Sequence, residues 1–212
     1  MLSTQPSPGD TALAAPGSDE DAARADIWGL LSALFIAPPT AQALQQLAAQ
    51  RGDAAGDGSA LQQSWAQLLD AAARHDAGQV RDEFEALFGG TGRPAVYVYG
   101  SFYLAGALHE KPLARLRHDL QHIGLERRID LGESEDHFAV LAETMRFLIA
   151  GDDPAVCTLS RQRDLFQRHI QPWGAAMCEA IAGDRNAQFY GAVAAFTNDF
   201  LQVEQMAFDL LD

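Results

Sequence analysis

Apolar residues recur along this chain at intervals of three and four, the period of helices that bury one face. Ile27, Leu30, Leu31, Leu34 and Phe35 form the first such stripe, and Pro38 and Pro39 end it. Ser18 stands directly before Asp19, Glu20 and Asp21, so a helix capped by the serine with acids in its first turn is expected there. Thr40 is placed to cap a short helix through Leu44 and Leu47, and Gly52 to Gly58 reads as a flexible, acidic turn. Ser59 and Gln62 have capping-box spacing ahead of the stripe Leu61, Trp65, Leu68 and Leu69. Gly78 reads as the break before a helix carrying Val80, Phe84, Leu87 and Phe88.

Residues 89–98 hold three glycines, Arg93 and Pro94, and read as a loop. A helix through Tyr99, Phe102, Tyr103 and Leu108 follows, then one opened by Pro112 through Leu113, Leu116, Leu120 and Ile123 and ended by Gly124. Ser134 is read as the cap of a helix with Phe138, Leu141, Met145 and Leu148 on one face, stopping at Gly151. Leu159, Leu165, Phe166 and Ile170 define the next, and Trp173, Met177 and Ile181 another. A long last helix from about Asp184 carries Phe189, Val193, Phe196, Phe200, Val203, Met206 and Leu210. Period-two alternation is nowhere sustained, so the fold class is all-α, a single-domain bundle of about ten helices. Residues 1–17, rich in Ser, Pro and Gly without any period, read as a disordered tail, leaving 18–212 as the helical domain.

Length and composition sharpen this only in places. With 212 residues and 48% hydrophobic content the chain can bury one substantial core. Lys plus Arg is 15 against 29 for Asp plus Glu, a formal charge of −14 that argues against nucleic acid as a partner. Cys157 and Cys178 are too few and too far apart for a disulfide framework or a paired-cysteine metal site, which fits a reducing compartment. The start of the chain lacks the pattern of a secretory signal, and the longest apolar run, Leu30 to Ala37, is far below the roughly 20 residues of a membrane span. A cytoplasmic location is expected.

Candidate chemistry is sparse. His118 and His122 have the i, i+4 spacing of two zinc ligands, but Asp119 stands where such a motif needs its glutamate, and two solvated histidines are the simpler reading. Gly89, Gly90, Thr91, Gly92 and Arg93 follow a helix and lack the Gly-Lys-Ser/Thr ending of a phosphate loop. Asp136 and His137 are adjacent, which on a helix turns their side chains about 100° apart and disfavours a catalytic dyad; first-turn acids with a capping histidine are the plainer account. No catalytic residue, metal ligand or cofactor ligand is assigned. Three tyrosines remain: Tyr97, Tyr99 and Tyr103 flank the glycine loop. With Leu87, Phe88 and the carboxylates Glu133, Glu135 and Asp136 they make an apolar surface edged by negative charge, suited to a peptide that carries arginines.

Four blocks of the chain resemble the TorD/DmsD family of redox-enzyme maturation chaperones: Phe84 to Gly89, Tyr99 to Tyr103, Glu133 to His137 with the apolar helix after it, and Phe166 to Trp173. The blocks run in the family's order across about residues 24–210. Val98 and Glu135 stand where the family usually has proline. The resemblance implies a helical cytoplasmic protein that binds the twin-arginine signal peptide of an apo-molybdoenzyme, often with the client's body, until the molybdenum cofactor is in place. Its other partners would be that cofactor or the proteins delivering it, and the protein would be a monomer or a homodimer. The expected signal-peptide-binding residues are Leu87, Phe88, Tyr99, Ser101, Tyr103, Glu133, Asp136 and His137. Asp136 and Glu133 are assigned to the arginines, His137 to an orienting hydrogen bond, and Leu87, Phe88, Tyr99 and Tyr103 to the apolar part. The alternative is a small metal- or nucleotide-dependent hydrolase built on His118, His122 and the 89–93 loop, and a third reading is a structural subunit of an oxidoreductase.

Overall fold

Trp28, Leu31, Leu34 and Phe35 are all buried along one side of the first helix, α1 (Asp19–Ile36), as their spacing requires. The computed structural model describes residues 19–52, 58–89, 93–108, 110–125 and 132–210. The expected disordered tail and the Ser18 cap fall outside them, as do residues 53–57 of the expected turn from Gly52 to Gly58. Ten α-helices and no strand are found among the described residues. The expectation of an all-α bundle is met.

After α1 come α2 (Ala41–Ala49), α3 (Ala60–Arg74) and α4 (Ala77–Phe88). Thr40 caps α2 by accepting from the Ala43 N–H, and Ser59 caps α3 by accepting from the Gln62 N–H. Gln62 departs from the reciprocal box: its side-chain oxygen accepts from the Gly58 N–H. Helix α4 starts earlier than the sequence indicated. Asp76 and Gln79 form a full capping box that carries Gly78 inside the first turn, where it breaks nothing.

The short α5 (Gly100–Ala105) ends where Gly106 turns left-handed with φ 75, so the helix does not reach Leu108. Then follow α6 (Lys111–His122), α7 (Phe138–Ala150), α8 (Leu159–His169), α9 (Gln171–Ala182) and α10 (Phe189–Asp209). Helix α1 lies along α7, and α10 packs on both α9 and α3. The core fills the space between them, with Trp28, Phe35, Phe138, Phe166, Trp173, Phe189, Tyr190 and Phe200 all fully buried.

Two long-range polar contacts close this bundle. Glu204 on α10 is 1% exposed and receives the Arg24 guanidinium through two bonds of 2.7 and 2.9 Å, plus the Trp28 indole N–H at 3.1 Å. A charge so buried is tolerable only because three donors surround it. Glu83 on α4 does for α10 what no local side chain does. Its carboxylate accepts from the N–H groups of Gln188 (2.8 Å), Phe189 (3.1 Å) and Tyr190 (2.7 Å), satisfying the open donors at the start of that helix. The helix therefore begins at Phe189 and not near Asp184.

Candidate functional site

The segments before α5 and α7 meet in one antiparallel bridge between Tyr99 and His137. The Gly100 N–H donates to the Asp136 carbonyl at 2.9 Å, and the Phe138 N–H donates to the Val98 carbonyl at 2.8 Å. This pairing holds His137 extended, behind a turn closed by the His137 N–H donating to the Ser134 carbonyl at 3.0 Å, so α7 does not start at Ser134. His137 is its cap, with Nδ1 accepting from the Ala139 N–H at 3.1 Å. Glu135 and Asp136 therefore lie ahead of the helix and not in its first turn.

Asp136 looks inward. Its Oδ2 accepts from the Ser101 N–H at 2.9 Å and its Oδ1 from the Ser134 hydroxyl at 2.5 Å, with 4% of the residue exposed. It thus anchors the first turn of α5, a helix whose own N-cap residue Tyr99 makes no side-chain cap. An incoming guanidinium would find both oxygens taken. In this structure the Asp136 carboxylate holds α5 and the His137 imidazole holds α7.

The His137 ring sits edge-on to Tyr99, with centroids 4.9 Å apart. Because Nδ1 accepts a backbone N–H, the neutral ring carries its proton on Nε2. Burial pushes the His137 pKa below its ordinary value, against the opposing pull of Glu133 and Asp136. Tyr99 completes the group by donating its hydroxyl to Glu133, and burial together with that bond raises the Tyr99 pKa. Glu133 is half-buried, while Glu135 next to it is buried and accepts twice from Arg117, at 3.0 and 2.9 Å.

Tyr103 flanks this cluster by stacking on Trp173, with centroids 5.6 Å apart and planes at 20°, and it donates to the Tyr97 carbonyl at 2.8 Å. Burial lifts its pKa to about 12. The close approach of α5 to Trp173 depends on Gly100, where an added Cβ would sit 3.0 Å from the indole nitrogen. That indole is fixed by its own bond to the His169 carbonyl at 2.6 Å. Sequence patterning placed Trp173 only in the core; its second duty, as the wall behind Tyr103 and Gly100, depends on contacts between helices that no spacing encodes.

Five of the eight expected residues are therefore brought together directly: Tyr99, Ser101, Glu133, Asp136 and His137. Tyr103 adjoins them. Phe88 stands further off in an aromatic chain, half-buried against Phe84 (5.2 Å), Tyr190 (5.1 Å) and Phe35 (6.1 Å), and Phe35 in turn meets Phe138 at 4.9 Å. Leu87 has no exposed surface and cannot line a groove; its carbonyl instead receives the Val96 N–H at 2.9 Å.

The candidates of the rival reading lie elsewhere. His118 and His122 are both exposed on α6, with ring centroids 4.1 Å apart and the His122 Nδ1 bonded to the His118 carbonyl at 2.8 Å. No group of three or more metal-binding side chains occurs among the described residues. Residues 90–92 of the glycine loop lie outside the described residues. Among those residues, no helix is long and apolar enough to cross a membrane.

With this geometry in view, the family model described as the nitrate reductase delta subunit matches residues 54–179, more than half of the chain. The chain belongs to that family. The nitrate reductase delta family comprises molybdoenzyme maturation chaperones of the TorD/DmsD kind and not catalysts, as the resemblance of the four blocks implied. No curated protein matches the chain. The family match spans α3 to nearly the end of α9 and so contains Tyr99, Ser101, Glu133, Asp136 and His137.

Proposed function

We propose that this delta-family chain is a cytoplasmic chaperone that holds the twin-arginine leader and the apo form of a molybdenum-cofactor oxidoreductase, delaying export or assembly until cofactor insertion. The observation that carries this reading is the Tyr99, Glu133 and His137 cluster. A half-buried carboxylate sits against two rings at the meeting point of two segments more than thirty residues apart. A carboxylate beside aromatic faces suits a guanidinium, which donates N–H groups to the carboxylate in its plane and stacks through its flat surface.

The roles are redistributed from those expected on sequence. Glu133 takes the first arginine, and Tyr99 yields its hydrogen bond to it on binding. Glu135 takes the second in place of Arg117, whose side chain is 46% exposed and free to swing away. The present pairing of Arg117 with Glu135 supports the chemistry, since the chain already satisfies one of these carboxylates with a guanidinium of its own. Tyr103 offers the apolar flank. Asp136, His137 and Ser101 are positioning residues.

The test is calorimetric titration with a synthetic twin-arginine leader peptide and with its twin-lysine counterpart. Glu133→Gln should weaken binding by about tenfold or more, the scale of one charge-assisted bond, while far-UV circular dichroism stays that of the parent. The lysine peptide should bind more weakly to the parent protein and discriminate less against the variant. Equal affinity of parent and Glu133→Gln removes Glu133 from the site, and absence of any leader binding by the parent overturns the proposal. Bound metal in elemental analysis together with nucleotide hydrolysis would favour the hydrolase instead.

A further inference from the structure

Helix α6 shows the sequence logic of a second surface. Leu113, Leu116 and Leu120 are its buried face, and Lys111, Arg115, His118 and His122 follow one another at spacings of four, three and four on the side away from that face. From Lys111 to His122 this row extends about 16 Å along the helix. Across from it, α8 and the start of α9 contribute Arg161, Arg168, His169 and Pro172.

Between them lies an open hollow of about 820 Å³ that shares His118, Asp119, Arg168 and His169 with a narrower one of about 250 Å³. The two form one groove. Its walls hold four formal positive charges, Lys111, Arg115, Arg161 and Arg168, against two negative ones, Asp119 and Asp164, on a chain whose net charge is −14. Asp119 is already engaged, by His169 at 2.8 Å and Arg168 at 3.6 Å. Lys111 and Arg115 make no ion pair among the described residues. Burial holds the His169 pKa below its ordinary value, and Arg168 and Arg115 both push it further down against the pull of Asp119, so the two arginines act on one point from opposite walls. Leu104, Leu165 and Pro172 supply apolar lining.

We propose that this α6 and α8 groove is a docking site for an acidic, partly apolar segment of a protein partner, separate from the leader site around Glu133. Charge complementarity selects the sign of the occupant, and the layout selects its form. A phosphate is held by donors that converge on one point, whereas these cations are strung out along two facing helices with apolar surface between them. That layout matches a helix or extended segment presenting Asp or Glu at three- and four-residue intervals with an apolar residue between.

The probe is a fluorescein-labelled helical peptide of roughly a dozen residues, long enough to follow the row, with Glu at every fourth position and Leu between, read by fluorescence anisotropy. The parent should bind it, binding should fade as ionic strength rises to about 0.5 M, and the analogue with Gln for Glu should bind far more weakly. Lys111→Glu with Arg115→Glu should cost about tenfold or more while leader titration stays unchanged, which separates failure here from failure of the leader proposal. Should that variant misfold, Arg115→Gln with Arg168→Gln serves as the second reading. Equal affinity of parent and folded variants, or no binding by the parent, overturns the proposal. Binding of inorganic triphosphate without the peptide makes this a small-anion site and overturns it. Self-association of the parent that the charge reversal abolishes, without peptide binding, makes the occupant a second copy and likewise overturns it.

Discussion

Removing the Glu83 carboxylate should loosen α10 although the two lie 105 positions or more apart. In Glu83→Ala three backbone N–H groups lose their acceptor, and those of Phe189 and Tyr190 are buried. At ~1.5–3 kcal/mol for each bond to a charged acceptor the gross loss would approach ~4.5–9 kcal/mol. Two effects reduce it: water can reach the partly buried Gln188 N–H, and the variant no longer bears the desolvation of a buried carboxylate. A net loss of about 3–4 kcal/mol remains, of which ~0.3–1 kcal/mol is the helix dipole.

Glu83→Gln should fall between. Oε1 serves two of the three N–H groups, and the amide oxygen can keep that place, but the amide nitrogen then faces the Phe189 N–H, donor against donor. Urea unfolding followed by circular dichroism gives the free energies, with exposed Asp82→Ala as a control expected within about 0.5 kcal/mol of the parent. Hydrogen exchange at Phe189 and Tyr190 should accelerate more than that of the α1 core. A Glu83→Ala variant within about 1 kcal/mol of the parent would refute the reasoning.

Two further outcomes follow from the site. His137 and His169 both have folded-state pKa values depressed by burial. Below about pH 6.5 the unfolded chain takes up protons that the folded chain refuses, so stability should fall as pH drops from 7 toward 5. His137→Asn, which keeps a capping acceptor, should flatten that fall in melting temperature; an unchanged slope would exclude His137 as a cause. Gly100→Ala should cost about 1–3 kcal/mol, the scale of overpacking, because its Cβ meets an indole that is 1% exposed and bonded in place. Parent-like urea unfolding of that variant would show that the helices can part more easily than this packing implies.

Where the signals were local, the sequence could be read directly. Thr40 and Ser59 cap the helices they precede, Pro38 and Pro39 follow the end of α1, and the stripe of α7 is core, as are Leu31, Leu34 and Phe35 of α1 and Phe189, Val193, Phe196 and Phe200 of α10. Val203, Met206 and Leu210 continue the α10 stripe but are exposed, and Leu201, Glu204 and Phe208 turn inward in their place. The failures share one physical origin, which is a partner distant in sequence. Ser134 has the look of a cap, yet its hydroxyl goes to Asp136 and the bridge to Tyr99 delays α7 until Phe138. Asp184 looks like a start, but α10 waits for Glu83. Asp136 passes for a surface acid in one dimension because its true neighbour, the Ser101 N–H, lies 35 positions away. The gathering of Tyr99, Ser101, Glu133, Asp136 and His137 was therefore legible, and the bonds that join them were not.

The bond from Arg24 to Glu204 spans 180 positions, and that span bears on how the protein is made. A nascent chain leaving the ribosome can coil α1 early, but its guanidinium and the Trp28 indole lack their common acceptor until α10 has been synthesised. Early collapse would bury the indole N–H without a partner and a guanidinium paired on its own helix only with Asp21, so the last long helix acts as a latch on the first. The buried contacts of the first helix are therefore completed only once α10 has emerged, however early α1 itself coils.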